Sequence, residues 1–300
     1  MNETHSFATN YATVKHFQHY TAKNKLRDVA INVAAPFTSI FGIDKKLMQK
    51  NRVQFLFLHH LFDDEIASFR KLLQTLSKQH TFISYSEAVN RIKAGNIDKP
   101  YICFSSDDGY KSNTTLAKVF SEFGISACFF LCPSVIGETN FDVIKKYADN
   151  NLRFAVPIEF INWNEVEMIQ KLGHEIGSHT HTHIDVSQQN FEKIAEEFSV
   201  SKNEIEKHCG AIKHLALPFG RFSPFKKEWW KMSADAGFES CASAVNGCHI
   251  ASTQPIKTEE LFIRRNLILP NQWTLRHQLF YLQYNSWMAK SANNFLPSAF

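Results

Sequence analysis

The chain has 300 residues, a net charge of +4, 44% hydrophobic and 21% charged residues. That length can enclose one large α/β domain or two small ones, and the balance is that of an ordinary soluble enzyme, not of a disordered or fibrous chain. No Lys/Arg block accompanies the mild charge, which argues against nucleic acid as a partner.

In chain order, residues 1–51 begin polar and turn apolar at "VAINVAAPFTSIFGI", residues 29–43. This stretch is shorter than the ~18 apolar residues of a membrane span. It contains Asn32 and Pro36 and has lysines beyond both ends. A packed helix or extended arm is expected, with peripheral membrane contact in the membrane plane as the other option. The first 25 residues lack the apolar core of a signal peptide. Six cysteines, at 103, 128, 132, 209, 241 and 248, show no CxxC spacing. Cys103 and Cys128 lie in apolar runs, as small buried hydrophobes do. The expected location is therefore a reducing compartment, the cytoplasm.

From residue 52 the pattern alternates. "VQFLFLHH" reads as a strand, and "EIASFRKLLQTLSKQH" has apolar residues at helical spacing. "PYICFSS" is a strand, "TTLAKVFSEFG" a helix stopping at Gly124, and "ISACFFLCP" a strand. "NWNEVEMIQKLG" is a helix stopping at Gly173, and "HEIGSH" a short strand. "NFEKIAEEFSVSKNEIEKHCG" is a long helix ending at Gly210, "HLALPFG" a strand, and "KEWWKMSADAGF" a helix. Residues 271–300 read as a terminal helix and tail. Repeated strand–helix units imply a parallel sheet with helices outside it, closed or nearly closed into a barrel. Residues 134–162 exceed a simple strand-to-helix link and form either a lid or substrate rim, or surface decoration.

Functional groups in parallel α/β folds gather at the C-terminal ends of the strands. Three such ends carry acids and imidazoles: Asp107 and Asp108, His59 and His60, and the cluster "GSHTHTHID" with His179, His181 and His183. On a helical turn His179 and His183 share a face, and on a strand all three do. Either way His179 and His183 can converge on one ion. A divalent metal held by two imidazoles needs a third ligand, often a carboxylate, and an open position for water. One of the adjacent aspartates can be that ligand while the other accepts a proton.

These motifs resemble the polysaccharide deacetylase family and its NodB-homology domain. The family's first motif, Thr-Phe-Asp-Asp-Gly, reads here Ser105-Ser106-Asp107-Asp108-Gly109. The resemblance implies that Asp107 is the general base and Asp108 a metal ligand. The second motif, His-Ser/Thr-x-x-His, is met by His179-Thr180-His181-Thr182-His183, which makes His179 and His183 the other ligands. Pro218-Phe219-Gly220 is similar to the third motif, a Pro-aromatic-Gly turn lining the site. Gly109, Tyr110, Pro218 and Phe219 are then expected at the substrate. "FLFLHHLFDDEIASFRKLLQTL" resembles the opening of a permuted branch that includes poly-N-acetylglucosamine deacetylases, which makes His59 the general acid. "ELFIRRNLIL" resembles that branch's late segment and places Arg265, or else Arg264, beside the catalytic aspartate.

The resemblance spans residues 53–270. It implies an α/β fold, a deformed (β/α) barrel of the NodB-homology type with about seven parallel strands. Residues 52–270 would form the catalytic domain, between an N-terminal extension (1–51) and a C-terminal helix and tail (271–300). The implied activity is hydrolysis, dependent on a divalent metal (zinc, or else another transition metal), of the N-acetyl group of an amino sugar in a glycan or its precursor. Another amide hydrolase on the same scaffold, such as a deformylase, and a metal-free carbohydrate-binding descendant are the alternatives. Three departures stand out: Ser106 where the family has an aromatic or apolar residue, Leu58 where it has Tyr, and Ala216 where many relatives have Arg. The first should loosen packing beneath the aspartates, and the last makes Arg265 the cation on which the base depends.

Overall fold

The apolar run beginning at Arg52 becomes strand β1 (Arg52–Leu58), buried along its whole length. A strand between parallel neighbours and covered on both faces has this continuous burial. The computed structural model describes residues 6–15, 43–154, 156–220 and 226–290, with positions 26, 29–31 and 33. The stretch 29–43 expected to touch a membrane lies largely outside these residues.

Further strands are β2 (Thr81–Phe82), β3 (Pro100–Ser106), β4 (Cys128–Leu131) and β5 (Glu175–Ser178). Then come β6 (His214–Ala216), β7 (Ser240–Ala242), β8 (Phe262–Ile263) and β9 (Arg265–Leu267). They form one sheet in the order β8-β7-β6-β5-β4-β3-β1-β9, with β2 beside β3, and every pairing is parallel. β8 pairs with β7 and β9 with β1, so the single segment Phe262–Leu267 joins the two edges and closes the barrel. Counting that segment as one stave and setting short β2 aside leaves the seven expected from the sequence.

The barrel wall alternates as a pleated strand must. Val53, Phe55, Cys103, Phe130, Ala216 and Ile263 share one buried cluster with Tyr85. Leu56, Leu58, Phe104, Phe129, Leu131 and Leu215 belong to another that contains the helix faces. Helix α1 (Ile66–Leu76) buries Phe69, Leu72, Leu73 and Leu76, spaced i, i+3, i+4, i+7. Helix α2 (Tyr85–Ala94) runs from N-cap Ser84 to left-handed Gly95. Helices α3 (Asn113–Glu122), α4 (Phe141–Tyr147), α5 (Trp163–Lys171), α6 (Phe191–Cys209), α7 (Lys227–Asp235) and α8 (Leu275–Trp287) complete the layer. The α5 start is a reciprocal cap between Asn162 and Glu165. Ser286 on α8 donates to the Leu47 carbonyl at 2.7 Å, which ties α8 to the short helix Ile43–Met48.

Two connections matter for the mouth of the barrel. Within 134–162 lie α4 and a π-helical turn, Ala148–Leu152. The segment returns to the barrel where Tyr110 and Phe160 form an antiparallel bridge. The N-terminal residues pack on it, with the Ala8 N–H donating to the Pro157 carbonyl at 3.0 Å.

Candidate active site

The C-terminal ends of the strands open on a cavity of about 570 Å³. Its wall includes His59 and His60 after β1, Asp107 and Asp108 after β3, His179 after β5, Phe219 after β6 and Arg265 from β9. Every strand end singled out in the sequence therefore converges here.

Asp108 is buried, in the left-handed region at φ 74°. Its Oδ1 lies 3.5 Å from His179 Nε2 and 3.4 Å from His183 Nε2. The three ligand atoms all lie within 4.8 Å of one another. His179 Nδ1 is 2.8 Å from the Ala216 carbonyl, and His183 Nδ1 is 2.9 Å from the Asn151 carbonyl. A carbonyl only accepts, so each Nδ1 carries a hydrogen, and in the neutral ring the Nε2 then presents a lone pair. Burial first, with the neighbouring His183 and Arg265, pushes the His179 pKa down to about 4, which keeps its ring neutral near pH 7. Two nitrogen lone pairs thus face a carboxylate oxygen that is buried and has no hydrogen-bond partner. That is repulsive without a cation. A tetrahedral ion with bonds of about 2.1 Å sets its ligand atoms about 3.4 Å apart, so the residues fit a divalent metal such as zinc.

Asp107 is held differently. Arg265 Nη1 and Nη2 donate to its two oxygens at 2.7 and 2.9 Å. The guanidinium is fully buried and lies over the rings of Phe57 at 4.4 Å and Phe130 at 5.3 Å. Burial by itself would raise the Asp107 pKa, but Arg265 and His179 outweigh it and hold the carboxyl below the usual 3.8. The register pairing Phe55 with Arg265 aims this side chain at the mouth. Its neighbour Arg264 lies instead over the Phe262 ring at 4.8 Å.

His59 lines the cavity, its ring edge-on to Phe57 at 5.5 Å. Burial lowers its pKa below 6.5, with Asp108 and Asp107 opposing. His60, named with His59 at the same strand end, also lines the cavity. Its Nδ1 is 3.1 Å from Glu65 and its ring stacks on Phe62 at 4.4 Å. His181 turns away from the metal ligands, its Nδ1 3.4 Å from Glu204. Thr180 at φ 64° and His183 at φ 58° make this turn neither helix nor strand. Two other histidines lie elsewhere: His249 is fully buried, and its Nε2 accepts from the Arg264 N–H at 2.9 Å. His277 sits on α8 outside the cavity wall.

Of the expected substrate contacts, Tyr110 and Phe219 line the cavity and Gly109 and Pro218 do not. Gly109 serves the turn: its φ is +80°, and a Cβ there would come within 2.9 Å of Ile136. Ser106 does not loosen the floor. It is fully buried and its hydroxyl donates to the His59 carbonyl at 3.3 Å, tying two strand ends together. Leu152, Phe154, Ile158 and Trp273 also line the cavity and carried no sequence signal. Residues 134–162 are accordingly a wall of the site.

Residues 94–241 match the model of the polysaccharide deacetylase family, a range that holds both aspartates, both metal-facing histidines and Phe219. Over that range the chain is similar to a polysaccharide deacetylase domain. His59 and Arg265 lie outside the deacetylase match, and only the closed barrel brings them to it. No curated protein matches the chain in sequence. Among solved structures, IcaB from Ammonifex degensii is similar, with a TM-score of 0.56 at 16% identity over 78% of this chain and 98% of that one. The Streptococcus pyogenes deacetylase PplD, in complex with acetate, gives 0.59 at 14% over 77% and 98%. A de-N-acetylase from Aggregatibacter actinomycetemcomitans gives 0.53 at 15% over 76% and 99%. At these identities the likeness establishes the shared fold, a near-closed α/β barrel of the NodB type. No helix among the described residues is long and apolar enough to cross a membrane.

Proposed function

We propose that the chain is a metal-dependent enzyme that hydrolyses the N-acetyl group of an amino sugar in a glycan or glycan precursor. The observation that carries the reading is the buried, unpartnered Asp108 Oδ1 facing two imidazole lone pairs beside a second, arginine-held aspartate. Asp108, His179 and His183 would hold zinc, which when bound supplies Lewis-acid chemistry, lowering the pKa of water and polarising a carbonyl. Asp107, kept ionised by Arg265, accepts the proton of the attacking water. His59 donates a proton to the departing amine, its lowered pKa making the imidazolium a stronger acid. Tyr110 and Phe219 contact the sugar, and the apolar wall from Leu152 to Ile158 keeps bulk water from the reacting amide. The products are acetate and an amino sugar.

Residues 52–270 would carry this activity. The setting proposed is the cytoplasm, on a surface-glycan precursor, and the six unpaired cysteines support it. Peripheral membrane contact through 29–43 is supported by exposed Leu26, Val29 and Val33, whose spacing places them on one helical side.

The test is acetate release from soluble and lipid-linked N-acetyl sugars, before and after chelation and after zinc is restored. Acetate release that chelation abolishes and zinc restores is expected. Full zinc occupancy without acetate release from any N-acetyl sugar would point to a different amide substrate, and absence of metal uptake would refute the site.

A further inference from the structure

The two imidazoles facing Asp108 are oriented from different sources. The carbonyl that takes the His179 Nδ1 hydrogen belongs to Ala216, on barrel strand β6. The one that takes the His183 hydrogen belongs to Asn151, at the end of a π-helical turn in the excursion between β4 and α5. Asn151 also donates its side-chain amide to the Thr182 carbonyl at 2.7 Å, gripping the main chain just before His183. On the preceding peptide, buried Glu197 accepts from the Thr182 N–H at 2.9 Å.

Arg153 completes the contact. It donates to Asp185 at 3.0 Å, and its guanidinium lies over the Phe219 ring at 4.3 Å. Phe219 in turn meets His183 edge-on at 4.8 Å. Arg153 adopts a left-handed conformation, φ 52° and ψ 41°. A non-glycine residue persists there only where its surroundings over-determine it. The non-glycine residues with positive φ among those described are Asp108, Arg153, Thr180, His183 and Phe219, so Arg153 shares its strain with the site.

We propose that Asn151 and Arg153 are positioning residues for the metal ligand His183, so that metal affinity is set from outside the repeating strand–helix units. The proposal rests on the metal reading of the site. Asn151 fixes the tautomer and tilt of the imidazole, and Arg153 holds the Phe219 ring against it. Removing either contact frees the ring to turn its Nε2 away from Asp108. Leu152, between them, lines the cavity, so the segment orients the ligand and shapes the substrate space at once.

The experiment titrates Zn2+ calorimetrically into chelator-stripped wild type, Asn151→Ala, Arg153→Ala, the double variant, Arg153→Lys and the surface control Arg70→Ala. Thermal unfolding of the stripped proteins is recorded alongside. Asn151→Ala keeps the main-chain carbonyl but loses the amide that holds its partner in place. Losing such outer partners weakens metal binding by roughly 10–100-fold. Each single variant is expected near the lower end and the double variant near the upper, with Arg153→Lys recovering most of the Arg153 loss and Arg70→Ala unchanged. Should the double variant fail to fold, Asn151→Ala alone decides. Wild-type affinity in the variants overturns the positioning role, as does an equal loss in Arg70→Ala. Absence of Zn2+ uptake by the wild type refutes the metal reading itself, so the two failures are distinct.

Discussion

Replacing Arg265 with Met tests the electrostatics of the proposed base. The substitution removes two donors, at 2.7 and 2.9 Å, from an aspartate that is itself buried. A hydrogen bond to a charged group contributes about 1.5–3 kcal/mol. Losing two costs at least about 3 kcal/mol of preference for the ionised form, roughly a hundredfold at 1.36 kcal/mol per factor of ten, so the Asp107 pKa rises. The sign follows from the role. A base works deprotonated, so activity is present above its pKa and lost as pH falls through it. Wild-type Asp107 is held below 3.8 and stays ionised through the mildly acidic range. In Arg265→Met the acidic limb of kcat/KM should move up, into the range where wild type is still fully active. Leaving a buried charge uncompensated also costs about 3–5 kcal/mol of stability, so Tm should fall. Arg265→Lys keeps one charge without the two-point contact and should lie between the two. Asp107→Asn should keep zinc yet lower turnover by ~100-fold or more. An Arg265→Met enzyme that folds, turns over normally and keeps its acidic limb in place would refute the assignment of Asp107 as an arginine-tuned base.

Elemental analysis should find about one zinc per chain, lost on His179→Ala or His183→Ala, weakened by Asp108→Asn and unaffected by His181→Ala. His59→Ala should retain zinc but lose the alkaline limb of the rate profile. An acid works protonated, and burial places this limb below the ordinary histidine value of 6.5, so wild-type activity should fall as pH rises through it. An intact alkaline limb in His59→Ala would place the proton donor elsewhere. Glu175, at the opposite end of the barrel, accepts from the Ser86 N–H at 3.0 Å and from its hydroxyl, with His214 Nε2 at 3.5 Å. Burial opposes its ionisation, but these partners bring its pKa down to about 2. Its contribution to stability is therefore complete above pH 4.5 and is lost as pH falls toward about 2, and Tm against pH should flatten over that window in Glu175→Gln.

What the sequence determined by itself was the alternation of buried strands and amphipathic helices and the chemistry at three strand ends. Runs such as Arg52–Leu58 and Pro100–Ser106 are long enough to show continuous burial, and His179, His183 and the paired aspartates declare themselves by residue type. The short strands β2, β7, β8 and β9 were illegible as strands: two or three residues carry no periodicity, and unlike equally short β6 they follow no helix stop that was read in the sequence. Helix α2 lies outside the strand–helix alternation read from the sequence, although a Ser84 cap and a Gly95 stop bound it.

Tertiary structure decided the rest of the site. Arg264 and Arg265 are adjacent and chemically alike, and only the register of β9 against β1 sends one to Asp107. Closure of the barrel through Phe262–Leu267 brings that arginine to an aspartate 158 positions away. The carbonyls of Ala216 and Asn151 orient the two imidazoles, and a main-chain oxygen is the same in every residue, so no sequence pattern marks it. Whether 134–162 was wall or decoration likewise depended on where its path returned, which the Tyr110–Phe160 bridge sets in space and composition does not encode.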